Sequence, residues 1–234
     1  MKRLYFAVLI SLLGWNGLNA RAEDIDLAKF AQETQKIVHE KSGLLMIWWV
    51  PTEYWQESLK KTDMSQTQKE AFVKALDDYI IFFVVDSKIS PLGAMTPKSK
   101  EEIVTNFFLY AGQHKNAKAM SDDDISPEAK NILAMMRPAF GQMLGQFGQG
   151  TQFLCYKGKD AQGNKLLDPK KEGKILVKYG SKSFQWRLPL GGLLPPKYDP
   201  KTDEKFPGNY SFNPFTGTAL VDTPPGKRQD DDTP

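Results

Sequence analysis

Cysteine and histidine are nearly missing from this chain. One thiol, Cys155, stands alone in 234 residues, so no intramolecular disulfide is available and the fold must rest on packing. Two histidines, His39 and His114, occur outside any H-E-x-x-H, H-x-H or C-x-x-C spacing, so a catalytic zinc site lacks its usual ligands. The string G-x-S-x-G is absent, which removes a local handle of serine hydrolases. A dinucleotide-binding G-x-G-x-x-G and a Walker loop are absent too, and the glycines between Gly141 and Gly150 follow a helical pattern rather than a strand. Asp122, Asp123 and Asp124 run consecutively, without the alternating spacing of an EF-hand loop, and suit the start of a helix instead.

A long apolar run is also missing. The longest N-terminal stretch, residues 4–13, is too short to span a bilayer as a permanent helix. It follows Lys2 and Arg3 and precedes Ala20-Arg21-Ala22, which is the arrangement of a Sec-type leader cleaved near Ala22. The expectation is a secreted or periplasmic protein without a transmembrane anchor. Cleavage would remove Lys2, Arg3 and Arg21 and no acid, so 31 basic residues less three equal the 28 acidic ones and the mature net charge is zero. Nucleic-acid binders draw much of their affinity from a basic surplus, and none is expected here.

With 41 % apolar residues, the remainder can bury a proper core. Residues 26–43 carry apolar side chains at helical spacing, with Gly43 as a terminating residue. Residues 44–50 form a continuous apolar run closed by Pro51, read as a buried strand. Thr52 is placed as the cap of a short helix ending near Leu59, and Ser65 with Gln68 matches a capping box. Strands are predicted over 80–85, 103–111, 151–156, 173–179 and 183–188, and a helix begins at Ser126-Pro127. The last strand alternates cleanly, with Phe184, Trp186 and Leu188 inward and Gln185 and Arg187 outward. Turn-rich residues 158–163 and Gly180-Ser181 point to antiparallel neighbours. The pattern predicts an α+β fold with a mainly antiparallel sheet of about six strands packed with helices. The implied organisation is a leader over 1–22, an α+β domain over 23–190, a linker over 191–196, a small appendage over 197–222 and a disordered polar tail over 223–234.

Three regions are candidates for function. Trp48, Trp49, Tyr54 and Trp55 cluster beside Glu53 and Glu57, and exposed indoles next to carboxylates would suit a glycan. Eight lysines lie between Lys157 and Lys182, a local surplus that would suit contact with an anionic surface. The third region repeats itself: Tyr198-Asp199-Pro200-Lys201-Thr202-Asp203 and Phe212-Asn213-Pro214-Phe215-Thr216-Gly217 both read aromatic, Asx, Pro, x, Thr, turn residue. This spacing resembles the paired knuckles of a zinc ribbon with all four cysteines replaced by Asp199, Thr202, Asn213 and Thr216. One carboxylate, one amide and two hydroxyls do not hold zinc, so no metal or other cofactor is expected. Asx turns stiffened by Pro200 and Pro214 would take its place, around a small core of Tyr198, Phe206, Tyr210, Phe212 and Phe215.

The strings at 46–55 (MIWWVPTEYW), 133–138 (LAMMRP) and 184–190 (FQWRLPL) resemble those of an uncharacterised group of exported bacterial proteins. That resemblance implies export and carries no activity or cofactor. The sequence therefore points to a non-enzymatic protein that binds an envelope protein or a glycan through its α+β domain. The alternative is a hydrolase with a carboxylate pair assembled in space, for which a glycan would be a suitable substrate.

Overall fold

The computed structural model describes residues 25–40 and 42–224; the expected leader and residues 225–234 of the expected tail lie outside them. The chain is α+β, with antiparallel pairing throughout the registered strands. No helix of the described residues is long and apolar enough to cross a membrane. Two compact units are present. The first holds residues up to 167 with Lys174–Trp186, and the second holds Asp168–Gly173 with the residues from Arg187 onward.

The first unit opens with α1 (Leu27–Thr34), whose N-cap Asp26 accepts from the N–H groups of Ala28 and Lys29. The expected helix to Gly43 ends at Thr34, because β-branched Ile37 and Val38 enter a strand, β1 (Gln35–Glu40). That strand pairs antiparallel with β2 (Gly43–Trp49), Gln35 facing Trp48. Gly43 is thus no cap: a Cβ there would meet the Ser87 carbonyl oxygen at 2.5 Å, so glycine permits the close approach of the next strand. Helix α2 (Thr52–Lys60) takes Pro51 as its N-cap residue, with Thr52 already inside the helix. Helix α3 (Gln66–Leu76) begins with the expected reciprocal Ser65–Gln68 box.

Strand β3 (Tyr79–Ile89) is longer than the predicted 80–85, since Asp86 and Ser87 remain in the strand rather than turning the chain. It pairs with β2 along one edge, and along the other with both β4 (Met95–Pro97) and β7 (Gln152–Lys157). The predicted strand over 103–111 divides into α4 (Lys100–Asn106) and β5 (Phe107–Ala111). Ser99 and Glu102 form a second capping box, with Glu102 N–H donating to Ser99 Oγ and Ser99 N–H donating to Glu102 Oε2, and this fixes the helix start. After β6 (His114–Ala117), helix α5 (Pro127–Met143) starts where Ser126 caps Ala129 N–H and runs through Pro138.

Strands β8 (Gly173–Tyr179) and β9 (Lys182–Leu188) belong to a second sheet of order β6-β5-β8-β9, so the expected single sheet is two, of five and four strands. The turn-rich residues after β7 close an antiparallel bridge between Lys159 and Lys165 before the chain passes to the second sheet, and Gly180-Ser181 joins β8 to β9.

Alternation along the central strands gives each face its own partners. Trp48, Phe83 and Phe153 point to one face and meet Tyr54 and Trp55 of α2 and Phe140 of α5. Phe82 and Tyr156 point to the other and meet Phe107 of β5 and Trp186 of β9. The first unit is therefore three layers: helices, five-stranded sheet, four-stranded sheet. One residue joins them. Thr34, fully buried, accepts the Trp48 indole N–H on its hydroxyl at 2.9 Å and the Trp186 indole N–H on its carbonyl at 2.8 Å.

In the second unit, Gly191–Leu193 forms a short 3-10 turn, and β10 (Lys197–Tyr198) pairs antiparallel with β11 (Lys205–Phe206). Isolated bridges join Tyr198 to Val221 and Phe212 to Ala219.

Candidate functional site

The aromatic cluster is core. Trp48, Trp49, Tyr54 and Trp55 are all buried. As expected, adjacent Trp48 and Trp49 serve opposite faces, but α2 and α5 cover one face and the four-stranded sheet covers the other. The rings spend their edges and faces on one another, with Tyr54 standing edge-on to Trp48 at 5.0 Å. A glycan platform needs bare ring faces, so these four residues are corrected from ligand-binding candidates to structural ones. Burial pushes the Tyr54 phenol up to about 12. Two buried donors, Trp55 Nε1 and Tyr156 Oη, find no acceptor among the described residues. The accompanying carboxylates are engaged as well: Glu57 pairs with Lys60 at 2.7 Å and Glu53 with Lys165 at 3.4 Å.

The lysine-rich segment is half neutralised. Lys159 bridges Asp77 and Asp78 at 2.7 and 2.8 Å, while Lys165 reaches Asp77 at 3.0 Å as well as Glu53. Lys171 pairs with Asp168, and Lys182 with Glu40. Burial alone would raise the Asp77 carboxyl, but the hydrogen bonds and charges of Lys159 and Lys165 outweigh it and hold the group below its ordinary range. Half of the eight lysines are thus ion-paired, and the segment is no single basic hairpin because its two ends belong to different sheets.

The repeated sequence in the second unit folds into two turns built alike. Asp203 N–H donates to the Asp199 carbonyl at 3.0 Å, and Gly217 N–H donates to that of Asn213 at 2.8 Å. Asp199 and Asn213 N–H groups donate in turn to the carbonyls of Glu204 and Thr218. Asp203 and Gly217 both occupy the left-handed region, at φ 59 and 72°, which suits glycine and tolerates aspartate. Each threonine hydroxyl accepts a backbone N–H two residues on, from Glu204 at 3.4 Å for Thr202 and from Thr218 at 3.3 Å for Thr216.

The Asx side chains close the pair. Asp199 accepts Lys201 N–H at 2.8 Å, and Asn213 accepts Phe215 N–H at 2.9 Å and Thr216 N–H at 3.3 Å. Between the turns, Asn213 Nδ2 donates to Asp199 Oδ2 at 2.6 Å, both residues being buried. That bond, then the Lys201 N–H, holds the Asp199 carboxyl below its ordinary range. Among the described residues no group of three or more His, Cys, Asp or Glu is placed to hold a metal ion.

The expected aromatic core of this unit is a correction. Phe206 is buried, but Tyr210, Phe212 and Phe215 are exposed by 40, 61 and 82 %. Two bridged knuckles hold themselves by hydrogen bonds to the backbone, so their aromatic residues are not needed inside. Phe215 lies within the second turn, and its own N–H is fixed by the Asn213 side chain.

One polar cluster had no sequence signal. Asp86, buried in β3, accepts from Tyr179 Oη and from Lys98 Nζ, each at 2.6 Å on the same oxygen. Burial, then the bond to Asp86, pushes the Tyr179 phenol up, and Lys98 Nζ stands 5.3 Å from the ring centre. Residues 86 and 179 approach only when the two sheets pack, so linear spacing could not show them. The arrangement satisfies a buried carboxylate; it contains no nucleophile and base in a relay. Cys155 is also buried, which pushes its thiol up to about 12 and keeps it protonated at neutral pH. Compared with protein-family models, curated proteins and solved structures, the chain matches none.

Proposed function

We propose that this is an exported, non-catalytic binding protein that engages an apolar surface on an envelope partner through its second unit. One observation carries the reading: Phe212 and Phe215 are exposed by 61 and 82 % on the second knuckle, which a hydrogen bond between buried Asn213 and Asp199 side chains ties to the first. Large apolar side chains that are exposed together, rather than singly, are characteristic of contact sites. A ring on a fixed backbone loses little entropy when captured, which favours it as an anchor. Export is supported by the leader pattern at residues 1–22.

The α+β domain offered the tryptophans as a binding platform, and their burial moves the proposal to the knuckles. The hydrolase alternative loses support for the same reason, and because Glu53 and Glu57 are committed to Lys165 and Lys60.

The test is capture from native envelope extract by the wild type and by Phe212→Ala/Phe215→Ala. Met135→Ala is the control, being an exposed apolar residue of the first unit. The double variant should keep its unfolding midpoint, since exposed substitutions typically change stability by less than about 0.5 kcal/mol. It should lose the partner that wild type and Met135→Ala retain. Equal retention by all three proteins would refute the assignment of the knuckle face.

A further inference from the structure

Independently of the knuckles, we propose that the outer face of the four-stranded sheet docks on an anionic lipid bilayer surface. Alternation buries Phe107, Leu109 and Ala111 of β5 and Ile175, Val177 and Tyr179 of β8 against the five-stranded sheet. The opposite parity sends Phe108, Tyr110, Lys174, Leu176 and Lys178 outward. Register sets Phe108 beside Lys178 and Tyr110 beside Leu176. Two half-buried rings and a leucine thus form an apolar centre. Exposed Lys118 lies over the Phe108 ring at 5.9 Å, and Lys178 over the Tyr110 ring at 5.2 Å.

No acid occupies an outward position on these strands, and the exposed alternate positions of β9 are Ser183, Gln185 and the cationic Arg187. Lys118, Lys174 and Lys178 make no ion pair among the described residues, unlike Lys159, Lys165, Lys171 and Lys182. The mature chain is neutral by charge count, so this cationic face is a local feature rather than a consequence of overall charge.

Charge complementarity requires an anionic occupant, and the shape selects a planar one. The face is a sheet surface with an apolar centre and lysines whose stems cross it. Such lysines lift their ammonium groups to lipid phosphates and leave the aromatic centre at headgroup depth. A single-stranded nucleic acid or a sugar chain would need bare rings to stack on, and both rings here already carry an ammonium over one face. Each lysine near an anionic membrane adds about 1 kcal/mol, roughly fivefold in affinity, so the three together supply on the order of a hundredfold.

The test is co-sedimentation of the full chain with phosphatidylcholine vesicles, with and without phosphatidylglycerol. Binding should require the anionic lipid and weaken with salt. Lys118→Gln/Lys174→Gln/Lys178→Gln should lower it on the order of a hundredfold, while Lys170→Gln/Lys171→Gln, changed in the second unit, should leave it unaltered. All five sites are exposed, so folding is preserved, and unchanged circular dichroism checks it. Binding that ignores phosphatidylglycerol, or that survives the triple substitution, would overturn the proposal. So would tighter binding to a single-stranded oligonucleotide or an acidic polysaccharide than to the vesicles.

Discussion

Replacing Thr34 by valine tests whether the joint between α1 and β1 is held by chemistry or by volume. The Thr34 hydroxyl accepts the Trp48 indole N–H and donates to the Phe30 carbonyl at 3.0 Å, in a position with no solvent access. Valine has nearly the same shape and no oxygen. A buried N–H left without an acceptor costs about 1–3 kcal/mol, and losing the bond to Phe30 costs about a further 1 kcal/mol. Added apolar burial returns about 0.8 kcal/mol. The net is about 2 kcal/mol, which lowers the melting temperature by roughly 4–8 °C for a protein of this size.

Serine keeps the oxygen and loses a methyl group, at about 0.8 kcal/mol. Urea unfolding followed by tryptophan fluorescence should therefore rank wild type above Thr34→Ser, and Thr34→Ser above Thr34→Val. Adding Trp48→Phe removes the orphaned donor. The double variant should then be less destabilised than the sum of the single ones, by about 1 kcal/mol. The Trp186 bond goes to the backbone carbonyl and survives every variant. A valine variant at least as stable as the serine one, or a coupling of zero, would refute the reasoning.

Two further outcomes follow from the same structure. The Cys155 thiol, buried and raised to about 12, should resist alkylation at neutral pH in the folded protein and react fully in urea; fast labelling of the native state would contradict its placement. Asp77 has a lowered folded pKa, so its contribution to stability is present above the unfolded carboxylate value of about 3.9 and disappears as pH falls through the folded value. Urea midpoints taken while acidifying should therefore drop less steeply in Asp77→Asn than in wild type, and parallel curves would remove the ion network from the account of acid stability.

Local signals in the sequence were followed by the chain where the chemistry is short-range. The Ser65–Gln68 box, the Ser126-Pro127 start and the alternating β9 all need only neighbouring residues, and each lies where its pattern put it. The second box, Ser99 with Glu102, is equally local, and it starts a helix where the apolar residues after it have the pattern of a strand. Reading 26–43 as one helix failed because Ile37 and Val38 have the right spacing for a helix and the better propensity for a strand. Pairing with β2 settled the matter.

The candidate sites divide along the same line. Asx-Pro-x-Thr, repeated fourteen positions apart, was visible as two turns, and their hydrogen bonds run within a few residues of one another. Aromatic residues were misjudged in both directions. The four expected to offer themselves to a ligand are covered, and three expected to fill the small core are exposed. Hydrophobicity sets the tendency to be buried, but which side chain succeeds depends on which faces other elements cover.

By itself the sequence determined the α+β class, the capping boxes and the two turns, since each rests on residue type at short spacing. Tertiary structure alone decided that the first unit holds two sheets, that Thr34 meets both Trp48 and Trp186, that Asp86 meets Tyr179 across 93 positions, and that lysines without ion pairs gather on one outer face. Those facts are contacts between residues far apart in the chain, and such contacts exist only once the layers have packed.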